Sequence, residues 1–219
     1  MRKVKVKICG ITNKEDLKIA SNHGADAVGF IVGVPSSPRN ISLAMAEKLI
    51  RLVPIFVKRI LVMVPRNVEE LFAAYDKLKP DAIQLHGKYV TNPHILREKI
   101  PHIPLIKAIN ANPINALKSA LEATFFDAIL LDSYVRGKYG GTGIVHNWDL
   151  SRQVKKTIQP KPLILAGGLT PENVKEAIAK VQPYAVDVCA GVELCLGIKD
   201  SKKVIAFIEN AKSVGLYDN

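Results

Sequence analysis

Short apolar runs recur along the chain at intervals of about 20 to 30 residues, and between them the apolar positions follow a helical spacing. Eight runs read as strands: Val4 to Cys9, Ala27 to Val32, Arg59 to Val64, Ala82 to His86, Leu105 to Ile109, Ala128 to Asp132, Leu163 to Ala166 and Ala185 to Cys189. Several, such as "RILVMV", "AILL" and "LILA", show almost no polar alternation, as expected of parallel strands covered on their outer face by helices. The intervening stripes include Ala46, Leu49, Ile50 and Val53; Val68, Leu71, Phe72 and Tyr75; Val174, Ala177, Ile178 and Val181; and Val204, Phe207, Ile208 and Ala211. Each occupies one helical face. Thr12 with Glu15 has the spacing of a capping box, and Thr170 followed by Pro171 reads as a capped helix start. The segment "WDLSRQVKKTIQ" carries only a loose stripe, with Trp148 read as core.

No Pro/Gly-rich linker, low-complexity segment or shift in composition divides the 219 residues. Eight strand–helix units in one undivided chain predict an α/β fold, a (β/α)8 TIM barrel of parallel strands forming one domain over residues 1–219, rather than an open doubly wound sheet. In such a barrel the chemistry gathers at the carboxyl ends of the strands. Residues just past each run are therefore the ones to inspect.

Composition narrows the setting. Hydrophobic residues make up 48% of the chain, yet no apolar run approaches the roughly 20 residues of a membrane-spanning helix. The start, "MRKVKVKICG", alternates Lys with Val and lacks the apolar stretch of a secretory leader. Cys9, Cys189 and Cys195 have no metal-ligand spacing and cannot all pair with one another, which points to a reducing, cytoplasmic compartment. The formal charge of +11 comes from scattered lysines with few aromatics among them. It reads as a solvated surface that assists capture of an anionic small molecule, not as a nucleic-acid interface.

At the strand ends, "AGGLTPEN" sets Gly167 and Gly168 after the seventh run, and "DVCAGVE" sets Gly191 after the eighth. These two loops form the recurrent phosphate site of barrels, although glycines also serve tight strand-to-helix turns. "YGGTG", Tyr139 to Gly143, has the composition of a lid or of an ordinary mobile loop. Asp132 closes "AILLD" and is placed to be a general acid or a structural acceptor of loop amides. Arg39 in "SSPRN" offers a planar fork for a carboxylate, or a solvated loop cation. A free cysteine such as Cys9 is by itself a small buried hydrophobe as readily as a reactive group. His86 is assigned to loop hydrogen bonds, and Cys195 has no neighbour suggesting chemistry.

Together these motifs resemble the phosphoribosylanthranilate isomerase family. The resemblance rests on "KICGIT", "GADAVGF", "SPR", "IQLHG", "LLDS", "GGTG" followed by a tryptophan, "LAGGLTPENV", and "VDVCAGVE" with "GIKD" after it, in order from one end of the chain to the other. It implies an Amadori rearrangement of N-(5-phosphoribosyl)anthranilate in tryptophan biosynthesis, with no metal and no cofactor, by a monomer or homodimer. By matching positions, Asp132 would protonate the ribose ring oxygen and Cys9 would remove the proton from the sugar's second carbon. Arg39 would bind the anthranilate carboxylate, and the loops holding Gly143, Gly168 and Gly191 the phosphate. The chain departs from the family where serines are common before "GVE" and Cys189 and Ala190 stand instead. The residues alone also admit another phosphate-binding barrel isomerase or epimerase, or a non-catalytic phosphate-ligand binding protein.

Overall fold

The computed structural model describes residues 2–87, 93–123, 125–133 and 145–216. Its central sheet runs β1 (Lys5–Cys9), β2 (Ala27–Val32), β3 (Lys58–Met63), β4 (Ala82–Leu85), β5 (Leu105–Asn110), β6 (Ala128–Asp132), β7 (Leu163–Leu165) and β8 (Ala185–Val188). Every strand is parallel to its neighbours, and the ring closes where β8 pairs with β1, Val186 opposite Val6 and Val188 opposite Ile8. The expected (β/α)8 barrel is the observed architecture.

Strand parity sorts the side chains into two cores. Val6, Ile8, Val28, Phe30, Leu61, Met63, Ile83, Ile129 and Leu131 point outward and merge with the helix stripes. The alternate positions, Cys9, Ile60, Val62, Ile106, Leu130, Ile164 and Ala166 among them, fill the barrel interior. Each large side chain buried in this way stabilises the fold by roughly 1.5–3 kcal/mol, so a one-residue slip of any strand exchanges both faces and is strongly disfavoured.

The helices are α1 (Lys14–Asn22), α2 (Leu43–Ile50), α3 (Val68–Leu78), α4 (Pro93–Lys99), α5 (Ala116–Glu122), α6 (Trp148–Ile158), α7 (Val174–Val181) and α8 (Ser201–Ser213). None among the described residues is long and apolar enough to cross a membrane. Two starts differ from the sequence reading. Helix α1 is capped by Asn13, whose Oδ1 accepts from the Asp16 N–H at 2.8 Å, because the Thr12 hydroxyl is drawn away to donate to the Gly197 carbonyl at 2.6 Å. Helix α7 begins at Val174, after a turn in which Asn173 folds back to accept from the Thr170 N–H at 2.8 Å. In α6 the stripe looked loose because one buried position is polar. Ser151 sits between Leu150 and Val154 on the buried face and is satisfied by His146 Nε2 at 2.7 Å.

Two small additions frame the barrel. Arg2–Lys3 pairs antiparallel with Gly215–Leu216 beneath the amino end of β1. After β8, Glu193–Cys195 and Ile198–Lys199 form a hairpin at the opposite, carboxyl-end face.

Candidate active site

The interior parity places Lys7 and Cys9 on β1, Gln84 on β4, Asp132 on β6 and Asp187 on β8 toward the barrel axis, with His86 and Cys189 just beyond their strands. A cavity of about 530 Å³ at the carboxyl-end mouth is lined by Cys9, Arg39, His86, Asp132, Asp187 and Cys189, among others. A second cavity of about 350 Å³ lies between the loops after β7 and β8, lined by Gly167, Gly168, Ala190 and Gly191. Both are also lined by Asp132, Asp187 and Cys189. The site is thus one mouth with two lobes.

Beneath it runs a buried polar chain. Lys7 Nζ donates to Gln84 Oε1 at 2.9 Å and to Asp187 Oδ1 at 3.0 Å. Burial works against the Lys7 ammonium, but Asp187 and Cys9 outweigh it and hold Lys7 protonated. Because the Gln84 oxygen receives Lys7, its amide nitrogen is the donor to His86 Nε2 at 2.9 Å, which leaves the imidazole proton on Nδ1. Burial, reinforced by Lys7 and Lys107, pushes His86 down to about 3. His86 is therefore a neutral hydrogen-bonded wall of the mouth.

Asp132 is pushed up to about 6, first by burial and then by Asp187, while the Ser133 N–H donating to Oδ1 at 2.8 Å and the Lys7 charge pull the other way. A carboxyl titrating there keeps an appreciable protonated fraction near neutrality, which suits proton donation. Cys9 is raised by its hydrogen bond with Cys189 and by burial, with Lys7 opposing. Cys189 moves down, held by the bond from Cys9 and by Lys199 and Arg39 against its own burial. Of the two thiols, Cys189 is therefore the one that ionises more readily.

Arg39 is not the solvated loop cation that the sequence also allowed. It is buried, with Nε donating to Glu193 Oε1 at 2.8 Å and Nη2 to Glu193 Oε2 at 2.6 Å. Glu193 also receives Lys199 at 3.2 Å. Arg39 Nη1 makes no hydrogen bond among the described residues, and the side chain lines the larger lobe.

Gly167 and Gly168 have φ values of +83° and +65°, a region in which any other side chain would be strained. A Cβ on Gly191 would lie 1.9 Å from the Leu169 carbonyl oxygen, so the β8 loop packs on the β7 loop only through glycine. Peptide groups, not side chains, consequently line much of the smaller lobe. Gly143 and the loop Tyr139 to Gly143 lie outside the described residues.

Lys7, Gln84, Asp187 and Glu193 were not singled out from the sequence. For three of them a signal was present: Lys7 shares strand parity with Cys9, and Asp187 interrupts the apolar run "AVDV" two residues before Cys189. Gln84 has the same parity as His86. Glu193 has no comparable signal, since its role depends on the loop that brings Arg39 to it.

The family model for N-(5'phosphoribosyl)anthranilate (PRA) isomerase matches residues 6–210. N-(5'-phosphoribosyl)anthranilate isomerase 1 of Methanosarcina mazei is 41% identical over 231 residues, covering 98% of this chain and 97% of its own. The crystal structure of phosphoribosyl anthranilate isomerase from Thermotoga maritima superposes with a TM-score of 0.85 at 39% identity, covering 96% of this chain and all of the other. A second structure from that organism, of monomers generated from the dimeric enzyme, gives 0.81 at 36% identity, with 96% of this chain and 100% of that one covered. The same fold bound to reduced 1-(o-carboxyphenylamino)-1-deoxyribulose 5-phosphate gives 0.82 at 37% identity, again over 96% of this chain and 100% of the other.

Proposed function

The chain belongs to the N-(5'-phosphoribosyl)anthranilate isomerase family, and from that membership we propose how its residues divide the reaction. It is an isomerase of tryptophan biosynthesis that converts N-(5-phosphoribosyl)anthranilate into 1-(2-carboxyphenylamino)-1-deoxyribulose 5-phosphate by an Amadori rearrangement. Its substrate is a phosphorylated small molecule.

Asp132, whose burial maintains a protonated fraction near neutrality, delivers its proton to the ribose ring oxygen and opens the furanose to a Schiff base. The resulting iminium withdraws electrons from the neighbouring carbon, so a thiolate is basic enough to remove the proton there. Cys9 takes that role. Its S–H gives up its proton to the neighbouring Cys189, and the thiolate then formed on Cys9 is favoured by the Lys7 ammonium. The enolamine left after proton removal tautomerises to the ketone.

The smaller lobe receives the phosphate on the peptide groups around Gly168 and Gly191, with Gly143 assigned to the same grip. Cys189 and Ala190 contribute no hydroxyl there, so backbone N–H groups carry the binding. Glu193 fixes the Arg39 guanidinium from one side, leaving Nη1 for the anthranilate carboxylate. A second copy of the chain is assigned to the surface around Leu52, Ile55 and Phe56, the last two 90% and 94% exposed, in keeping with the dimeric relative. Residues 1–219 are read as one barrel domain working in the cytoplasm.

The observation that carries this reading is that Cys9 and Asp132 line one mouth continuous with a glycine-built cup. The test is single-turnover conversion of freshly prepared phosphoribosylanthranilate, with a chelator present. Wild type should be unaffected by chelation, and Cys9→Ser should lose about 10²–10⁴ in kcat with KM little changed. A Cys9→Ser enzyme of wild-type speed would remove Cys9 from the mechanism, and loss of turnover on chelation would overturn metal-free acid–base catalysis.

A further inference from the structure

The two thiols at the mouth are more than neighbours on a wall. Strands β8 and β1 run in register, with Val188 opposite Ile8, so the next residues, Cys189 and Cys9, follow on adjacent strands of the same inward face. At Val188 and Ile8, one residue earlier, the paired strands lie about 4.8 Å apart, within the Cα separation of about 4.4–6.8 Å that a disulfide spans. Both side chains belong to the same interior cluster and line the same cavity. At Cys189 the backbone leaves the β8 ladder, with φ −128° and ψ −82° as the chain turns into the short 3-10 helix Ala190–Val192. Its sulfur is thus not held by strand pairing.

Their surroundings differ in a way that assigns each a part. Cys189 is half-buried and lines both lobes, with Lys199 Nζ 3.7 Å from its sulfur and Arg39 close behind. Cys9 is buried below it, and Gly29 crowds it so closely that a Cβ there would stand 2.8 Å from the Cys9 sulfur. A Cβ on Gly10 would likewise stand 2.8 Å from the Cys189 sulfur. Glycines on both sides keep open the space in which the sulfurs meet. One thiol is half-buried with Lys199 and Arg39 favouring its thiolate, and the other is buried at the end of the adjacent strand. That combination describes an attacking and a resolving cysteine.

We propose that Cys189 and Cys9 form a hydroperoxide-reactive dithiol that closes to a reversible intramolecular disulfide, switching off the isomerase by occupying its base. The Cys189 thiolate attacks one oxygen of the hydroperoxide. The O–O bond breaks, a sulfenic acid forms, and the departing oxygen leaves as water or alcohol after taking a proton. Cys9 sulfur then attacks the sulfenic sulfur, the S–S bond forms, the S–O bond breaks, and the hydroxide leaves as water with the proton from Cys9. The two thiols together lose two electrons, and these reduce the hydroperoxide. A dithiol reductant reverses the exchange.

The loss-of-activity arm rests on the assignment of Cys9 as base, whereas the bond itself does not. In a Cys195→Ser background, hydrogen peroxide should consume both remaining thiols per chain and link tryptic peptides 8–14 and 181–199. Activity should fall in step with the linkage and return with dithiothreitol. In the Cys189→Ser, Cys195→Ser chain, measured relative to its own starting activity, inactivation should be at least about tenfold slower with no linked peptide. Failure to find the linked peptide in the parent, or equal inactivation rates in the two chains, overturns the dithiol. A linked peptide in a chain that keeps its activity upholds the disulfide and removes Cys9 from catalysis instead.

Discussion

Asp132→Asn separates what the carboxyl does for chemistry from what it does to the fold. Asn has the same shape and still accepts the Ser133 N–H that now reaches Oδ1 at 2.8 Å. It cannot ionise. Raising a carboxyl from 3.8 to about 6 corresponds to about 3 kcal/mol of differential stability at most. The sign follows from which state holds the proton: the folded chain keeps it to higher pH than the unfolded chain. The stability linked to that proton is present in full below about pH 4 and is lost as pH rises through 6. Asn escapes the loss. At pH 7.5 the variant should therefore be more stable than wild type by up to about 3 kcal/mol, and at pH 4 nearly equal to it. With an m-value of about 3 kcal/mol/M, the urea midpoint moves up by as much as about 1 M at pH 7.5. Turnover should fall by about 10²–10⁴, because the ring oxygen loses its proton donor. Equal midpoints at pH 7.5, or an active variant, would mean that Asp132 is an ordinary carboxylate and the general acid lies elsewhere.

Three further predictions concern the surrounding residues. Arg39→Lys should raise KM at least about tenfold with a smaller change in kcat, since an ammonium cannot hold Glu193 by two bonds and also present a third donor; an unchanged KM from steady-state kinetics would disprove the carboxylate contact. Gly191→Ala must move a Cβ away from a carbonyl oxygen 1.9 Å distant, so inhibition by inorganic phosphate should weaken at least about tenfold, and unaltered inhibition would place the phosphate elsewhere. Lys7→Met leaves Asp187 buried without its ion-pair partner and should cost about 3–5 kcal/mol in urea unfolding. Adding Asp187→Asn should recover much of that loss, and no recovery would show that the two residues act independently.

Much of the molecule was legible because it depends on local rules. The barrel follows from apolar runs that alternate with helical stripes, since both periodicities are set by backbone geometry within a few residues. Cys9, Asp132, Gly168 and Gly191 could be placed at the mouth because each lies at the end of a run, and in a barrel every such end faces the same mouth. The helix starts at Thr12 and Thr170 were misread by one to a few residues. In the first case a partner 185 residues away, the Gly197 carbonyl, competes for the hydroxyl that would have capped α1.

By itself, then, the sequence determined that Cys9, Asp132 and the loop glycines sit at the mouth, through their position at the strand ends. It did not determine their protonation or their pairing. Lys7 meets Asp187 across 180 residues and Arg39 meets Glu193 across 154, while Cys9 meets Cys189 only because β8 closes the ring against β1. Charge state in a low-dielectric interior depends on which groups lie within a few ångströms, and ring closure is what brings these groups within that range. Tertiary structure alone therefore raised Asp132, made Cys189 the readier of the two thiols to ionise and anchored the Arg39 fork on Glu193.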